Sequence, residues 1–399
     1  MQDKTLRIIN LAVLFQQQRY IVAISFLFYL SVGLTLSDFL LFQSIFYFTG
    51  LIAEIPAGYI GDIFPRKNVL ICSYLLFMLR IILWITIPNY YTLLFGEILY
   101  GLSKAFYRGV SDGYIYDYLK LNKATNLMLN KYGKFNFFTS LGSAISCLLG
   151  AWLYKYLGFG ILLGFELFFN SAAVLTILFL PQIPQTKPKI SFWMHVLRIF
   201  DIIKNTIKDS QINIFIMYGG ILSGITSIFV WNFQPIMKSC AIPVALFGVV
   251  YFVNHILRAL GSMFADKLIL KTSLIKIGWG VWVLYLLSFS LLINVTYIKN
   301  IFVCVSTLIF VCVAIGIQMV FSVGNVSRIH DLISSNTRAT TSSINSMFMS
   351  LFSGMFLMFF KFLTDNHTIR FPLVIFTILF LFVIVLLNVI SSNRYKIKY

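Results

Sequence analysis

The chain has 399 residues, of which 59% are hydrophobic and 11% charged, with a mean hydropathy of +0.88 and a formal charge of +18. Too little polar surface exists to cover a soluble globule of this size, so composition excludes a soluble protein and identifies an integral membrane protein. Apolar runs of about 20 residues without strict alternation select helices over a closed barrel, because the bilayer interior offers the backbone no water.

Breaks at polar, Gly or Pro residues predict twelve spans, at 11–36, 39–61, 69–87, 91–117, 132–155, 158–180, 211–234, 244–265, 273–294, 300–325, 339–362 and 369–391. The expected fold class is an all-α polytopic membrane protein with twelve transmembrane helices in two pseudo-symmetric six-helix bundles. Residues 1–180 form the first bundle and 209–399 the second, joined by a cytoplasmic linker at 181–208. In that linker Pro181, Pro184 and Pro188 precede an amphipathic stretch, 195–204, of the kind that lies on a membrane surface. The first apolar stretch lacks a small-residue cleavage site and is followed at once by another span, so it reads as retained.

If the N-terminus is cytoplasmic, 22 of the 31 Lys and Arg, among them Lys4, Arg7 and Arg19, fall on the cytoplasmic side. Five fall on the other side, and Arg80, Lys104, Arg108 and Arg258 lie inside spans. Both termini are therefore expected inside. The basic excess is an orientation signal with anionic lipid as its partner, and nucleic acid is a poor reading. The five cysteines stand singly in apolar surroundings, the four histidines form no ligand pair and no G-x-x-x-x-G-K-[ST] loop is present. No cofactor or metal site, no enzyme and no ATP-driven pump is expected.

The turn between the second and third spans, Gly58-Tyr59-Ile60-Gly61-Asp62-Ile63-Phe64-Pro65-Arg66-Lys67, resembles the G-x-x-x-D-[RK]-x-G-[RK]-[RK] loop of major facilitator superfamily transporters. Gly58, Asp62, Arg66 and Lys67 match, whereas Ile63 and Pro65 depart. The strings at 54–62, 109–117 and 338–343 also resemble a bacterial subgroup associated with drug or metabolite efflux. Asp266, at the end of span 8, echoes Asp62 after 204 residues, as a duplicated fold would. The resemblance implies an inter-helix gate at Asp62 and Asp117, with Asp266 and Arg338 as further motif positions. It also implies a multi-pass location in a bacterial cytoplasmic membrane.

Glu97, Lys104, Arg108 and Asp112 fall on one stripe of span 4 within an arc of roughly 80°. A charge near mid-membrane costs at least about 2.5 kcal/mol unless paired or wet, so the stripe should face a charged helix or a water-filled cavity. Lys104 is the first candidate for contact with an anionic or polar substrate group. The alternatives are that Lys104 snorkels or finds a carbonyl, and that Arg108 and Asp112 form an i,i+4 structural pair. Glu97 reads as a solvated rim residue. Glu54 and Arg108 lie at similar depth and can form an ion pair, either a fixed staple or one that opens on protonation of Glu54. Glu54 and Asp112 are the proton-coupling candidates.

Arg258, with Asn254 and His255, makes a polar cluster in span 8, and Tyr29, Trp231, Asn232, Gln234, Gln318 and Asn325 can add amphipathic contacts to a cavity. Gly50, Gly58 and Gly61 allow close backbone approach in span 2. The expected function is secondary active transport by alternating access, namely proton-coupled export of a small amphipathic organic compound by a monomer. The alternatives are proton-coupled uptake of a polar metabolite or iron-chelating compound, and a non-transporting membrane receptor.

Overall fold

Helices account for every long element in the computed structural model, which describes residues 2–124, 127–183, 192–208, 210–332, 338–365 and 367–394. Helix α1 (Gln2–Gln16), a 3-10 turn (Tyr20–Ile24) and α2 (Ser25–Ser31) form one interrupted span. Helices α3 (Leu36–Ile63), α4 (Arg66–Thr86), α5 (Tyr90–Leu121) and α6 (Met128–Leu178) complete the first half. The short α7 (Phe192–Lys208) separates these from α8 (Ser210–Ser239), α9 (Phe247–Thr272), α10 (Leu274–Ile298), α11 (Ile301–Leu332), α12 (Arg338–Thr364) and α13 (Arg370–Arg394).

Unbroken, the 51 residues of α6 would reach about 77 Å, more than twice a hydrocarbon core of about 30 Å. Gly158, at φ +75°, breaks it into two spans where a side chain would be strained. With α1 and α2 counted as one, the chain has twelve spans and an all-α fold. Nine segments of the described residues are long and apolar enough to cross a membrane by length and composition. Helix α5 is not among them, since it carries the charged stripe; its packing along α3 and α4 places it in the bundle. Local chemistry sets two helix starts. Thr35 and Asp38 form a reciprocal capping box at α3, and Asn89 and Thr92 form another at α5.

The first span departs from expectation. Its helix begins at Gln2 and unwinds over Gln17, Gln18 and Arg19, so Arg19 is a buried residue with 6% exposure and not a cytoplasmic base. Buried partners hold the unwound backbone. Ser146 Oγ donates to the Gln17 carbonyl at 3.1 Å, and Glu166 Oε2 accepts the Ile21 N–H at 3.2 Å. A helix can open inside a membrane only where the protein supplies such partners.

The apolar packing differs between the two ends. The end carrying the loops near residues 33, 88, 158, 242, 299 and 368 is sealed by one core to which both halves contribute, including Phe39, Leu163, Phe233, Phe247, Leu308 and Phe376. At the other end, where the 64–67 turn lies, the halves keep separate cores. Leu6, Val69, Tyr114 and Ile177 belong to one, and Ile212, Ile216, Ile329 and Ile344 to the other. The halves therefore share one apolar core at the sealed end and have parted, separate cores at the end that bears the basic turn. Helix α7 packs Ile202 and Ile203 on the second-half core and exposes Trp193, Met194, Leu197 and Phe200.

Candidate functional site: a charged cleft between the two halves

One tyrosine organises the polar interior. The Tyr100 ring on α5 stacks on Phe46 of α3 with centroids 4.6 Å apart, and three cations gather around it. The Arg80 guanidinium lies 4.4 Å from its centroid and 3.9 Å from that of Trp84. Arg19 donates from Nη1 to the Tyr100 hydroxyl at 2.5 Å, and the Lys104 ammonium lies 5.8 Å from the ring. Ring quadrupoles supply the partial negative charge that tolerates cations in an apolar setting.

Glu97 belongs to this cluster and is not a rim residue. It is 1% exposed, its Oε1 lies 3.0 Å from Arg80 Nη2, and it accepts the Tyr29 hydroxyl at 2.8 Å. Phe28, Phe39 and Trp84 pack around Tyr29 and close off solvent above the pair. Tyr29 and Glu97 thus serve each other and Arg80, and neither reaches an open cavity. Asn232 is likewise fully buried, its Nδ2 bonded to the Ile228 carbonyl at 2.8 Å on its own helix. These three leave the set of cavity-lining residues expected from sequence, because helix rotation turns them into the packing.

The open space lies about two to three turns beyond Glu97 along α5. Lys104 and Arg108 from α5, Phe46, Tyr47 and Glu54 from α3, and Ser350 from α12 line a cleft between the halves. Its volume of about 10 Å³ holds roughly one water molecule. From the opposite half, Arg258 on α9 lies within electrostatic range of Tyr47 and Tyr285, and His255 within range of Arg258 and Arg19. Gln318 is buried with 5% exposure, while Arg258 retains partial exposure. The stripe of span 4 therefore divides: Glu97 enters an ion pair inside the first half, whereas Lys104 and Arg108 face the cleft. The Asp112 and Arg338 side chains lie outside the described residues.

At the parted end, Arg66 Nε binds Asp117 Oδ2 at 2.7 Å, tying the start of α4 to the end of α5. Lys67 donates to the Leu178 and Leu180 carbonyls at 2.6 and 2.8 Å, where α6 ends. Asp62 and Asp266 are exposed. A Cβ at Gly58 would meet nothing within 4 Å, so this glycine makes no close approach in the present conformation.

The sealed end is fastened by contacts between halves that sequence reasoning did not assign. Gln234 of α8 is fully buried, and its Oε1 accepts the Phe26 N–H at 2.8 Å. Its Nε2 donates to the Val22 carbonyl at 2.9 Å, Ser25 Oγ at 3.2 Å and Tyr251 Oη at 3.0 Å. Near the surface, Ser37 of α3 donates to Asp365, which also pairs with Lys361 at 2.6 Å. Those two hydrogen bonds hold the Asp365 carboxyl below its ordinary range. A Cβ on Gly248 of α9 would stand 2.4 Å from the Cys147 carbonyl of α6, so only glycine permits this crossing. Arg19 and Tyr100 were missed as functional positions, and Gln234, expected to add contacts to a cavity, instead joins the halves at the sealed end. The polar run Gln16-Gln17-Gln18-Arg19 inside an apolar stretch was the signal available for the first.

The nucleoside transporter NupG superposes with a TM-score of 0.79 at 12% identity, covering 99% of this chain and 100% of that one. A bacterial homologue of the human lysosomal transporter Spinster, inward-facing and unoccupied, gives 0.69 at 14% identity, covering 91% and 82%. A D-xylose–proton symporter gives 0.67 at 13%, covering 91% and 90%. No curated protein matches the sequence. Residues 8–356 match the Major Facilitator Superfamily. The fold, the cleft between halves and this match over most of the length agree, and the chain belongs to the major facilitator superfamily as a multi-pass membrane transporter and not an enzyme.

Proposed function

We propose that the protein exports a small amphipathic organic compound in exchange for protons, by rocking residues 1–180 against residues 209–399 about the charged cleft. The carrying observation is the placement of Lys104, Arg108 and Glu54 on one cleft between halves that are sealed at one end and parted at the other. The parted end carries the basic turns and is assigned to the cytoplasm of a bacterial cell, with both termini inside. The exposed apolar face of α7 then rests on that leaflet, and the neighbouring bases meet anionic lipid. A single chain contains the whole cleft, which supports a monomeric unit.

Glu54 is the proton carrier in this scheme. It is the acid that lines the cleft among the described residues, beside Arg108, and its protonation weakens the attraction between the two. The test is flux in reconstituted vesicles with an imposed pH gradient, scanned over amphipathic organic compounds. Wild type should show compound-dependent proton movement, and E54Q should lose the dependence of transport on the gradient. An E54Q protein that still concentrates compound with unchanged pH dependence removes the carrier role. Binding without flux in wild type removes transport itself.

A further inference from the structure

We infer that the transported compound is an organic anion, its carboxylate or phosphate received by Lys104, Arg108 and Arg19 and its apolar body by Phe46 and Tyr47. This rests on the carrier reading above and adds the charge of the cargo. Among the described residues, the membrane interior and the cleft carry five cations, the buried Arg19 and Arg80, the half-buried Lys104 and Arg258 and the exposed Arg108, against three carboxylates, Glu54, Glu97 and Glu166. The carboxylates do not cancel the cations where the cleft lies. Glu97 is engaged by Arg80 and Tyr29, and Glu166 accepts the Ile21 N–H and lies within electrostatic range of Arg80 as well as Arg19. Glu54 is left to face Lys104 and Arg108 together.

A second observation points the same way. Arg19 is 6% exposed, yet its Nη2 has no hydrogen-bond acceptor, while Nη1 is held by Tyr100. The guanidinium lies close enough to Lys104 for their charges to repel. A buried Arg19 with an unused donor and a half-buried Lys104 lining the cleft make a fixed positive field that an anion completes and a cation would oppose. Arg258 extends that field from the opposite half. Closure of the cleft around an anion would then draw the halves together, because both contribute charge of the same sign.

Two measurements test the inference. In a C72S background, the thiol of S350C is exposed to anionic sulfonatoethyl methanethiosulfonate and cationic trimethylammonioethyl methanethiosulfonate, each rate normalised to a free thiol. The anionic reagent should react about tenfold faster, and K104Q should reduce that ratio by about threefold. Thermal unfolding is then followed with benzoate, salicylate and phenyl phosphate, with the neutral benzamide and salicylamide, and with the cationic benzylamine. Stabilisation should be confined to the anions and weakened about tenfold in R19Q and K104Q. Faster modification by the cationic reagent overturns the inference, as does stabilisation that is not selective for anions. The carrier reading fails separately: anion-selective binding with no anion flux in vesicles removes transport and leaves the charge assignment, whereas flux of neutral compounds alone does the reverse.

Discussion

At the scale of single residues, the Arg80–Glu97 pair shows how charge is made tolerable in this interior. Both side chains are almost fully buried, and the geometry gives one close contact reinforced by Tyr29. Removing one member of a buried pair leaves an uncompensated charge and costs about 3–5 kcal/mol, far more than a surface pair would. R80Q should therefore lower the thermal midpoint in detergent markedly, and the R80Q/E97Q double variant should recover much of the loss. Equal midpoints for wild type and R80Q would show that the pair is not structural. Neither partner was assigned to the other from sequence. Seventeen residues and a loop separate them, and helix rotation decides whether an acid on α5 meets α4 or solvent. Lys104 was legible, because an unneutralised base in the middle of a span demands a wet or paired setting wherever it points.

At the scale of elements, the spans were readable because apolar length is a local property, and so was the break at Gly158, where a glycine stands between two such runs. The opening of the first span was not. Its Gln-Gln-Gln-Arg run is polar like a loop, and only the partners on α6, Ser146 and Glu166, make it an interior feature. Gln234 now ties that opened segment to α8. Its loss strips the partner from the buried Phe26 N–H, an unsatisfied group costing about 1–3 kcal/mol, and leaves the Val22 carbonyl with Ser25 Oγ alone. The contact that Asp365 makes across the seal, with Ser37, is one exposed hydrogen bond worth about 1 kcal/mol, so Gln234 and the apolar core dominate the seal. Cys147, buried beneath Gly248, is a native reporter. In a C72S background, Q234L and G248A should each raise maleimide labelling of Cys147 at least several-fold, and D365N much less. Unchanged labelling in both would mean that the seal does not depend on this crossing.

The Asp365 contribution has a defined sign. Its carboxyl titrates below the ordinary value of about 3.9, so its contacts persist at neutral pH and are lost only as pH falls through that lowered value. Acid sensitivity of transport near neutral pH must therefore come from groups other than this one. D365N should leave the pH profile between about pH 5 and 8 unshifted, and a profile displaced in that window would contradict the assignment.

At the scale of the molecule, alternating access requires the core shared by both halves to part while the separated cores approach each other. The shared core also has a consequence for biogenesis. Phe39 and Leu163 find their apolar neighbours partly on Phe233, Phe247 and Phe376, which are synthesised after them. Until the second half is made, that surface must face lipid or a chaperone, so the ribosome delivers an unfinished molecule whose halves are interdependent. A chain severed within 184–191 should yield stable protein only when both pieces are expressed in the same cell, each alone being degraded. Accumulation of either piece by itself would show that the translation products mature independently.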